Sequence, residues 1–187
     1  MKLTIKSTIV ALLIPVILGG CSSTESMSTK TPENACQILM KNKDWYHASR
    51  LTYEKWGVPI SVQLSVIKHE STFNGDASAT TSSAYGYAQA LTGTFNEYKS
   101  ETSNPRARRG SYADSVDFIG WYFSKSSKSL KHSAYDAETF YLAYHDGIGG
   151  YRNKTHLEKP WLVKKAKRVQ SVANQYRIQI NKCRLPR

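Results

Sequence analysis

The sequence predicts a mainly helical protein with one globular domain. Apolar residues recur at helical spacing in several segments, and glycine and proline separate those segments. No run alternates apolar and polar residues in the way that a half-buried strand does. The chain has 187 residues, of which 40% are hydrophobic and 11% aromatic, enough for one packed core. This composition excludes a wholly disordered chain.

An export signal is predicted at the start of the chain. Lys2 and Lys6 precede a nearly all-apolar run over residues 8–18, which is too short to span a bilayer as a helix. The run ends in Leu18-Gly19-Gly20-Cys21, which resembles the bacterial lipobox. An ordinary signal peptide with a chance cysteine is the alternative.

The lipobox resemblance implies that residues 1–20 are removed and that Cys21 receives the lipid that anchors the chain to a membrane. Ser22 follows, whereas the sorting rule for enterobacterial lipoproteins has Asp there in proteins kept at the inner membrane. We therefore expect an outer-membrane lipoprotein that faces the periplasm. Residues 21–31 are small and polar, which predicts a flexible tether before a domain over residues 32–187.

The first predicted helices lead up to a polar loop. A helical first turn is expected at Pro32, and a helix over residues 44–56 ends at Gly57. Its candidate apolar contacts are Trp45, Ala48, Leu51, Tyr53 and Trp56. The segment 59–70 is apolar on nearly every side, which predicts a buried helix. Residues 71–89 then break every period and predict a loop.

Four more helices are predicted after that loop. They cover residues 92–100, 111–125, 136–144 and 161–180. Gly147, Gly149 and Gly150 are expected to end the third of them. The last helix is long, basic and amphipathic.

Two cysteines remain once Cys21 is assigned to lipid. Cys36 and Cys183 stand at the two ends of the predicted domain. An exported chain folds in an oxidising compartment, so we expect a disulfide between them. Two separately buried thiols are the alternative.

The charge predicts an anionic partner. The chain has 26 Lys+Arg and 14 Asp+Glu, a formal net charge of +12, and loss of Lys2 and Lys6 with the leader lowers it to +10. Nucleic acid, a membrane surface and an acidic polymer all fit such a charge. An outer-membrane lipoprotein facing the periplasm meets no chromosomal DNA, so nucleic acid is not expected. The chain gives no sign of a protein partner, and we expect a monomer.

Glu70 is the residue most suited to chemistry. It ends the apolar helix and begins the polar loop His69-Glu70-Ser71-Thr72-Phe73-Asn74. A carboxyl at such a junction is partly desolvated, which raises its pKa and lets it act as a proton donor near neutral pH. A solvated glutamate at a helix end is the alternative.

Three motifs resemble the soluble-lytic-transglycosylase-like domain of the lysozyme superfamily, glycoside hydrolase family 23. They are Glu70-Ser71 with Phe73-Asn74, then Gly86-Tyr87-Ala88-Gln89, then Ala143-Tyr144-His145-Asp146-Gly147-Ile148-Gly149-Gly150-Tyr151. They occur in the family's order and cover about residues 58–151. The chain is most similar to a divergent lipoprotein branch, marked by Ser83-Ala84-Tyr85-Gly86-Tyr87-Ala88-Gln89.

The resemblance implies a lysozyme-like α+β fold, peptidoglycan glycan strands as substrate, and Glu70 as catalytic acid and then base. Such enzymes close a 1,6-anhydro ring on the muramoyl sugar instead of adding water. The resemblance implies no cofactor and no metal. A hydrolytic lysozyme and a non-catalytic peptidoglycan-binding lipoprotein are the alternatives.

Further site residues are carried over from the same motifs. Tyr144 is expected to orient Glu70 through a hydrogen bond, although Tyr141 and Tyr144 lie one helical turn apart, as packing would also require. Gln89 is expected to contact substrate or to secure the loop, and Tyr151 to support a sugar or to pack. The full set of predicted substrate-binding residues is Ser71, Ser83, Tyr85, Gly86, Gln89, Tyr144 and Tyr151.

The motifs also depart from the family pattern. His145 and Asp146 replace the usual Asn and Ala, and Tyr87 and Ala88 replace Leu and Met, so subsite preferences are open. The family has a serine in the substrate cleft after the catalytic glutamate. The sequence does not decide which residue takes this position, because Ser78, Ser82 and Ser83 all fit. His145 and Asp146 are adjacent on a helix and do not face each other, so no metal site is predicted.

Overall fold

A computed structural model describes residues 34–185 of the chain. The predicted leader, Cys21, the tether and the turn at Pro32 lie outside the described residues. Within them the chain forms seven α-helices and a short 3₁₀ helix at Thr155–Glu158. The α-helices are α1 Ala35–Lys41, α2 Lys43–Trp56, α3 Ile60–Ser71, α4 Thr92–Glu101, α5 Tyr112–Leu130, α6 Ala137–Arg152 and α7 Pro160–Lys182.

The prediction of a mainly helical fold is confirmed. The long segment between α3 and α4 is the predicted loop, where isolated β-bridges pair Tyr85 with Ser78 and with Ala90. These bridges are the only β-pairing that we find in residues 34–185. None of the described helices combines the length and apolar composition that crossing a membrane would need.

The predicted buried helix is α3, which lies at the centre of the domain against α7. Its apolar side chains are fully buried, as at Val62, Leu64 and Val66. Ser65 is buried too, and its hydroxyl donates to the Val169 carbonyl of α7 over 2.6 Å. A buried hydroxyl needs such a partner, so this bond lets a polar residue stay inside the core and links the two helices.

Helix α2 packs on α5, and three of its five predicted apolar contacts, Trp45, Ala48 and Trp56, pack against the core. Leu51 and Tyr53 were expected in the core, but each is 48% exposed, whereas Thr52 is buried. The reason is Gly120 of α5, where an added Cβ would lie 2.5 Å from the Trp56 ring and 2.8 Å from the Thr52 methyl. The helices approach closely at this glycine, which leaves room for the Trp56 ring and the Thr52 methyl of α2.

Helix α6 continues beyond the glycines that were predicted to end it. Gly147 has φ 78° and ψ 153°, which kinks the helix, and helical turns then resume as far as Arg152. This backbone conformation is open essentially only to glycine. The glycine therefore redirects the chain instead of ending the element.

The predicted disulfide is present. Cys36 of α1 and Cys183, which follows α7, are bonded with their Cα atoms 5.8 Å apart. Beside it, the Ala35 backbone N–H donates to the Gln179 side chain over 2.8 Å. The bond closes a loop over 147 positions of the sequence and joins the ends of the domain.

Candidate active site

Glu70 lies in the last turn of α3, at the edge of the core. The helix ends because Thr72 takes a left-handed conformation, with φ 52°, and Phe73 follows at φ 61°. The chain then turns into the polar loop over residues 74–90. Glu70 is half-buried as a residue, so its carboxyl is held between the apolar interior and this loop.

Burial is the main electrostatic influence on Glu70. It raises the pKa of the carboxyl, while the hydrogen bond from Tyr141 and the charge of Lys165 act in the opposite direction. The Tyr141 hydroxyl donates to Glu70 Oε1 over 2.5 Å. The predicted desolvation of this carboxyl is therefore present, and it exceeds the effect of the two groups that favour the charged form.

Tyr141 is the orienting residue that sequence reasoning missed. Its side chain is fully buried in α6, and the pKa of its hydroxyl is raised, first by burial and then by the Glu70 charge. The hydroxyl therefore stays protonated and donates to Glu70. Lys165 of α7 lies over the same ring, with Nζ 5.5 Å from the centroid. Helices α3, α6 and α7 thus each contribute one side chain around the carboxyl.

Tyr144 does not make the hydrogen bond to Glu70 that we predicted for it. Its hydroxyl donates to the Ala88 carbonyl over 2.6 Å, so it connects α6 to the loop. Burial and then the Glu70 charge raise the pKa of this hydroxyl well above its usual value, which indicates that Tyr144 still lies near the carboxyl. The tyrosine one turn earlier takes the predicted orienting position.

Gln89 secures the loop. It has φ 46°, and its amide nitrogen donates to the Ala77 carbonyl over 2.8 Å and to the Gly86 carbonyl over 2.9 Å. The Gly86 backbone N–H also donates to Ala77, over 2.8 Å. These bonds correspond to the second of the two roles that the sequence left open for Gln89.

Gly86 permits a close approach of two backbones. It has φ 81°, and an added Cβ would lie 1.9 Å from the Arg109 carbonyl oxygen. Arg109 also donates from Nη1 to the carbonyls of Ser83, over 2.5 Å, and Ala90, over 2.9 Å. Its guanidinium lies 5.4 Å from the centroid of the Tyr85 ring. Arg109 belongs to the basic segment before α5 and, like Tyr141, was not predicted to act at the site.

The remaining predicted residues have structural partners of their own. Ser71 is buried, and its hydroxyl donates to the Ile67 carbonyl over 3.3 Å. Ser83 Oγ accepts from the Thr92 backbone N–H over 3.2 Å. The Tyr85 hydroxyl donates to Asp76 over 3.1 Å. Tyr151 stacks on the His156 ring with centroids 4.8 Å apart, which is the packing role left open for it.

The two carboxylates nearest the motifs in sequence are engaged elsewhere. Asp76 accepts from Tyr85. Asp146, whose side chain is 3% exposed, accepts from Lys159 and Thr155, and these bonds lower its pKa. Glycosidases that use two carboxyl groups need the second across the scissile bond. Asp146 is therefore committed to a buried structural contact, whereas Asp76 is exposed and accepts a hydrogen bond from Tyr85.

A mainly helical domain with a desolvated carboxyl at the end of its central helix is consistent with the lysozyme-like class of proteins. The family model described as the transglycosylase SLT domain matches residues 9–183, which is most of the chain. The chain therefore belongs to the transglycosylase SLT-domain family, and membership implies that it binds peptidoglycan. No significant match to the chain was found among curated proteins or among solved structures.

Proposed function

We propose that the protein is a peptidoglycan lytic transglycosylase in which Glu70 is first the general acid and then the general base. It cleaves the β-1,4 bond between N-acetylmuramic acid and N-acetylglucosamine. The observation that carries the proposal is the environment of Glu70, where burial raises the pKa of the carboxyl next to a hydrogen-bonding tyrosine. A carboxyl with a raised pKa is able to deliver a proton near neutral pH.

Tyr141 determines which oxygen of Glu70 carries the proton. Oε1 accepts the Tyr141 hydroxyl at 2.5 Å, so a proton on Glu70 is better placed on Oε2. That proton passes to the glycosidic oxygen, the bond from this oxygen to C1 of the muramoyl sugar breaks, and N-acetylglucosamine leaves as an alcohol. The acetamido group of the muramoyl sugar stabilises the positive charge that develops at C1, in the place of a second carboxylate.

The second step regenerates the enzyme. Glu70, now a carboxylate, takes the proton from the C6 hydroxyl of the same muramoyl sugar. The C6 oxygen bonds to C1 and closes the 1,6-anhydro ring, so no water is consumed. The ion pair of Asp146 with Lys159 supports this route, because a double-displacement mechanism would need a carboxylate nucleophile and this one is held in a buried structural contact.

We also propose that the protein acts as a lipoprotein of the outer membrane. The support comes from the sequence, where the lipobox-like segment ends at Cys21 and Ser22 follows. A polar tether over residues 21–31 would then let the domain reach the peptidoglycan layer.

The products of sacculus digestion test the proposed reaction. We expect purified protein to release muropeptides with 1,6-anhydro ends, which mass spectrometry identifies by the loss of one water relative to a reducing end. Reducing ends would instead identify a hydrolytic lysozyme. No release, together with binding to sacculi, would identify a peptidoglycan-binding module without activity.

A further inference from the structure

One face of α7 combines an exposed aromatic ring with two cations. Trp161, Lys165 and Arg168, here called the α7 stripe, are spaced i, i+4 and i+7 and therefore share a helix face. Trp161 is 55% exposed, Lys165 is half-buried and Arg168 is exposed. The stripe is about 10 Å long, because a helix rises 1.5 Å per residue, so one ligand can contact all of it.

The stripe lies next to the candidate active site. Lys165 Nζ is 5.5 Å from the centroid of the Tyr141 ring, whose hydroxyl contacts Glu70. The Trp161 ring contacts His145 with centroids 5.0 Å apart, and His145 directly follows Tyr144. A glycan bound at Glu70 would therefore meet the stripe.

The stripe has no ion-pair partner among residues 34–185, although the Lys165 charge acts on the Glu70 carboxyl. In the described part of the chain, the ion pairs use Arg50, Lys55, Lys125 and Lys159, and neither Lys165 nor Arg168 forms one. Both cations act on His69, whose pKa is lowered mainly by burial and further by these charges. His69 is thereby kept neutral, and the cation whose charge acts on Glu70 is Lys165.

We propose that the α7 stripe binds the muramoyl residue together with its anionic substituent, with Lys165 and Arg168 on the carboxylate and Trp161 against the sugar. The ligand chemistry is a carboxylate attached to the muramoyl sugar. It has two sources, the peptide stem or the lactyl group of a strand that has lost its stem. The inference rests on the proposed function, since it assigns the side of the substrate that faces α7.

Binding measurements in a Glu70→Gln background test this inference without turnover. The ligands are soluble strands that carry peptide stems, strands stripped of stems by an amidase, and a neutral chitooligosaccharide. The variants are Lys165→Gln/Arg168→Gln and Trp161→Ala. The control is Lys43→Gln/Lys128→Gln, which also removes two positive charges, from exposed positions on α2 and α5.

We expect Lys165→Gln/Arg168→Gln to weaken binding of a carboxylate-bearing strand by about tenfold, as two partly exposed ion pairs would. Loss with stem-bearing strands alone assigns the stem carboxylates, and loss with stripped strands alone assigns the lactyl carboxylate. Loss with both means that the stripe binds either carboxylate. Binding of the neutral oligosaccharide should change by no more than about twofold in this variant, because a ligand without a carboxylate forms no ion pair with either cation. Trp161→Ala should weaken binding of all three ligands, because a ring packed on sugar does not depend on the carboxylate.

Equal losses in the stripe and control variants would overturn the inference, because they would mean unspecific attraction between charges. An equal loss for the neutral ligand would overturn it as well. A further measurement uses vesicles with anionic phospholipid headgroups. If Lys165→Gln/Arg168→Gln lost binding to the vesicles but bound the strands as before, the stripe would be a membrane-docking surface and the proposal would be wrong. Product release by the Glu70→Gln variant would contradict the proposed function alone and leave these binding results intact.

Discussion

Opposing influences on the pKa of Glu70 determine whether its carboxyl can donate a proton. Burial raises its pKa, and the Tyr141 hydroxyl and the Lys165 charge lower it. The balance keeps Glu70 protonated to a higher pH than an exposed glutamate, which a general acid needs. The first chemical step should therefore slow as the pH rises through the pKa of Glu70, so this residue defines the alkaline limb of the rate profile.

Replacing Tyr141 with phenylalanine tests the contribution of its hydroxyl. The hydrogen bond lowers the pKa of Glu70, so Tyr141→Phe should raise that pKa and move the alkaline limb of kcat to higher pH. The maximal kcat should fall by about ten- to a hundredfold, because the carboxyl loses its orienting partner. The pH dependence of kcat between acid and mildly alkaline pH measures both effects.

Tyr144→Phe is the matched comparison, because Tyr144 donates to the Ala88 carbonyl. It should leave the position of the alkaline limb unchanged, whatever its effect on the rate. A limb that moves to lower pH in Tyr141→Phe, or that moves equally in both variants, would contradict the role given to Tyr141.

Glu70 could be singled out from the sequence, whereas its partner could not. A glutamate that ends a strongly apolar helix and precedes a polar loop is visible in the order of residues. Tyr141 and Tyr144 are both aromatic and differ by about 60° around a helix, so spacing does not tell which one faces Glu70. The answer depends on how α6 rotates against α3 and the loop, which is a matter of packing across the whole domain.

At the scale of elements, the loop between α3 and α4 is held by side-chain hydrogen bonds to backbone carbonyls. Gln89 donates to a carbonyl within the loop. Tyr144 connects the loop to α6, and Arg109 connects it to the segment before α5. The loop could be predicted from its composition, but its partners could not, because they lie far away in sequence. In α6 the glycines could likewise be read from the sequence. That Gly147 kinks the helix instead of ending it is visible only in the backbone of the structure.

Gly86→Ala tests the close approach inside this loop. The new Cβ would lie 1.9 Å from the Arg109 carbonyl oxygen, and φ at this position is 81°. Both effects strain the folded state, so we expect the free energy of unfolding to fall by at least about 2 kcal/mol. Chemical denaturation followed by circular dichroism measures it.

Gly93→Ala is the control for this substitution. Gly93 lies in α4, and an added Cβ there would meet no atom within 4 Å. Its free energy of unfolding should stay the same or rise by up to about 1 kcal/mol, since alanine favours a helix over glycine. If the two variants were equally stable, the contact between Gly86 and Arg109 would not matter for the fold.

For the molecule as a whole, the disulfide and the charge have separate effects. The bond between Cys36 and Cys183 joins the ends of the described domain, and it was predictable because the predicted leader implies an oxidising compartment. The net charge of +12 predicted an anionic partner, but only the structure shows that Lys165 is the cation that acts on Glu70. Peptidoglycan, whose peptide stems carry carboxylates, fits that arrangement.

Removing the disulfide should destabilise the domain strongly. Cys36→Ser/Cys183→Ser frees a loop of 147 positions, for which chain entropy gives about 4–5 kcal/mol. The expected fall in Tm is about 10–15 °C for a domain of this size. Thermal unfolding measures it, and a reducing agent should lower the Tm of the wild type toward that of the variant without changing the variant. A wild type insensitive to reductant would contradict the stabilising role of this bond.

The rate at which Glu70→Gln solubilises sacculi tests the central claim most directly. Glutamine keeps the shape of the side chain and accepts from Tyr141, but its amide is not acidic enough to transfer a proton to the glycosidic oxygen. The account predicts that the variant folds like the wild type by circular dichroism and that its rate of muropeptide release is lower by about 10²–10⁴-fold. A folded Glu70→Gln protein that releases anhydromuropeptides at a rate near that of the wild type would contradict it.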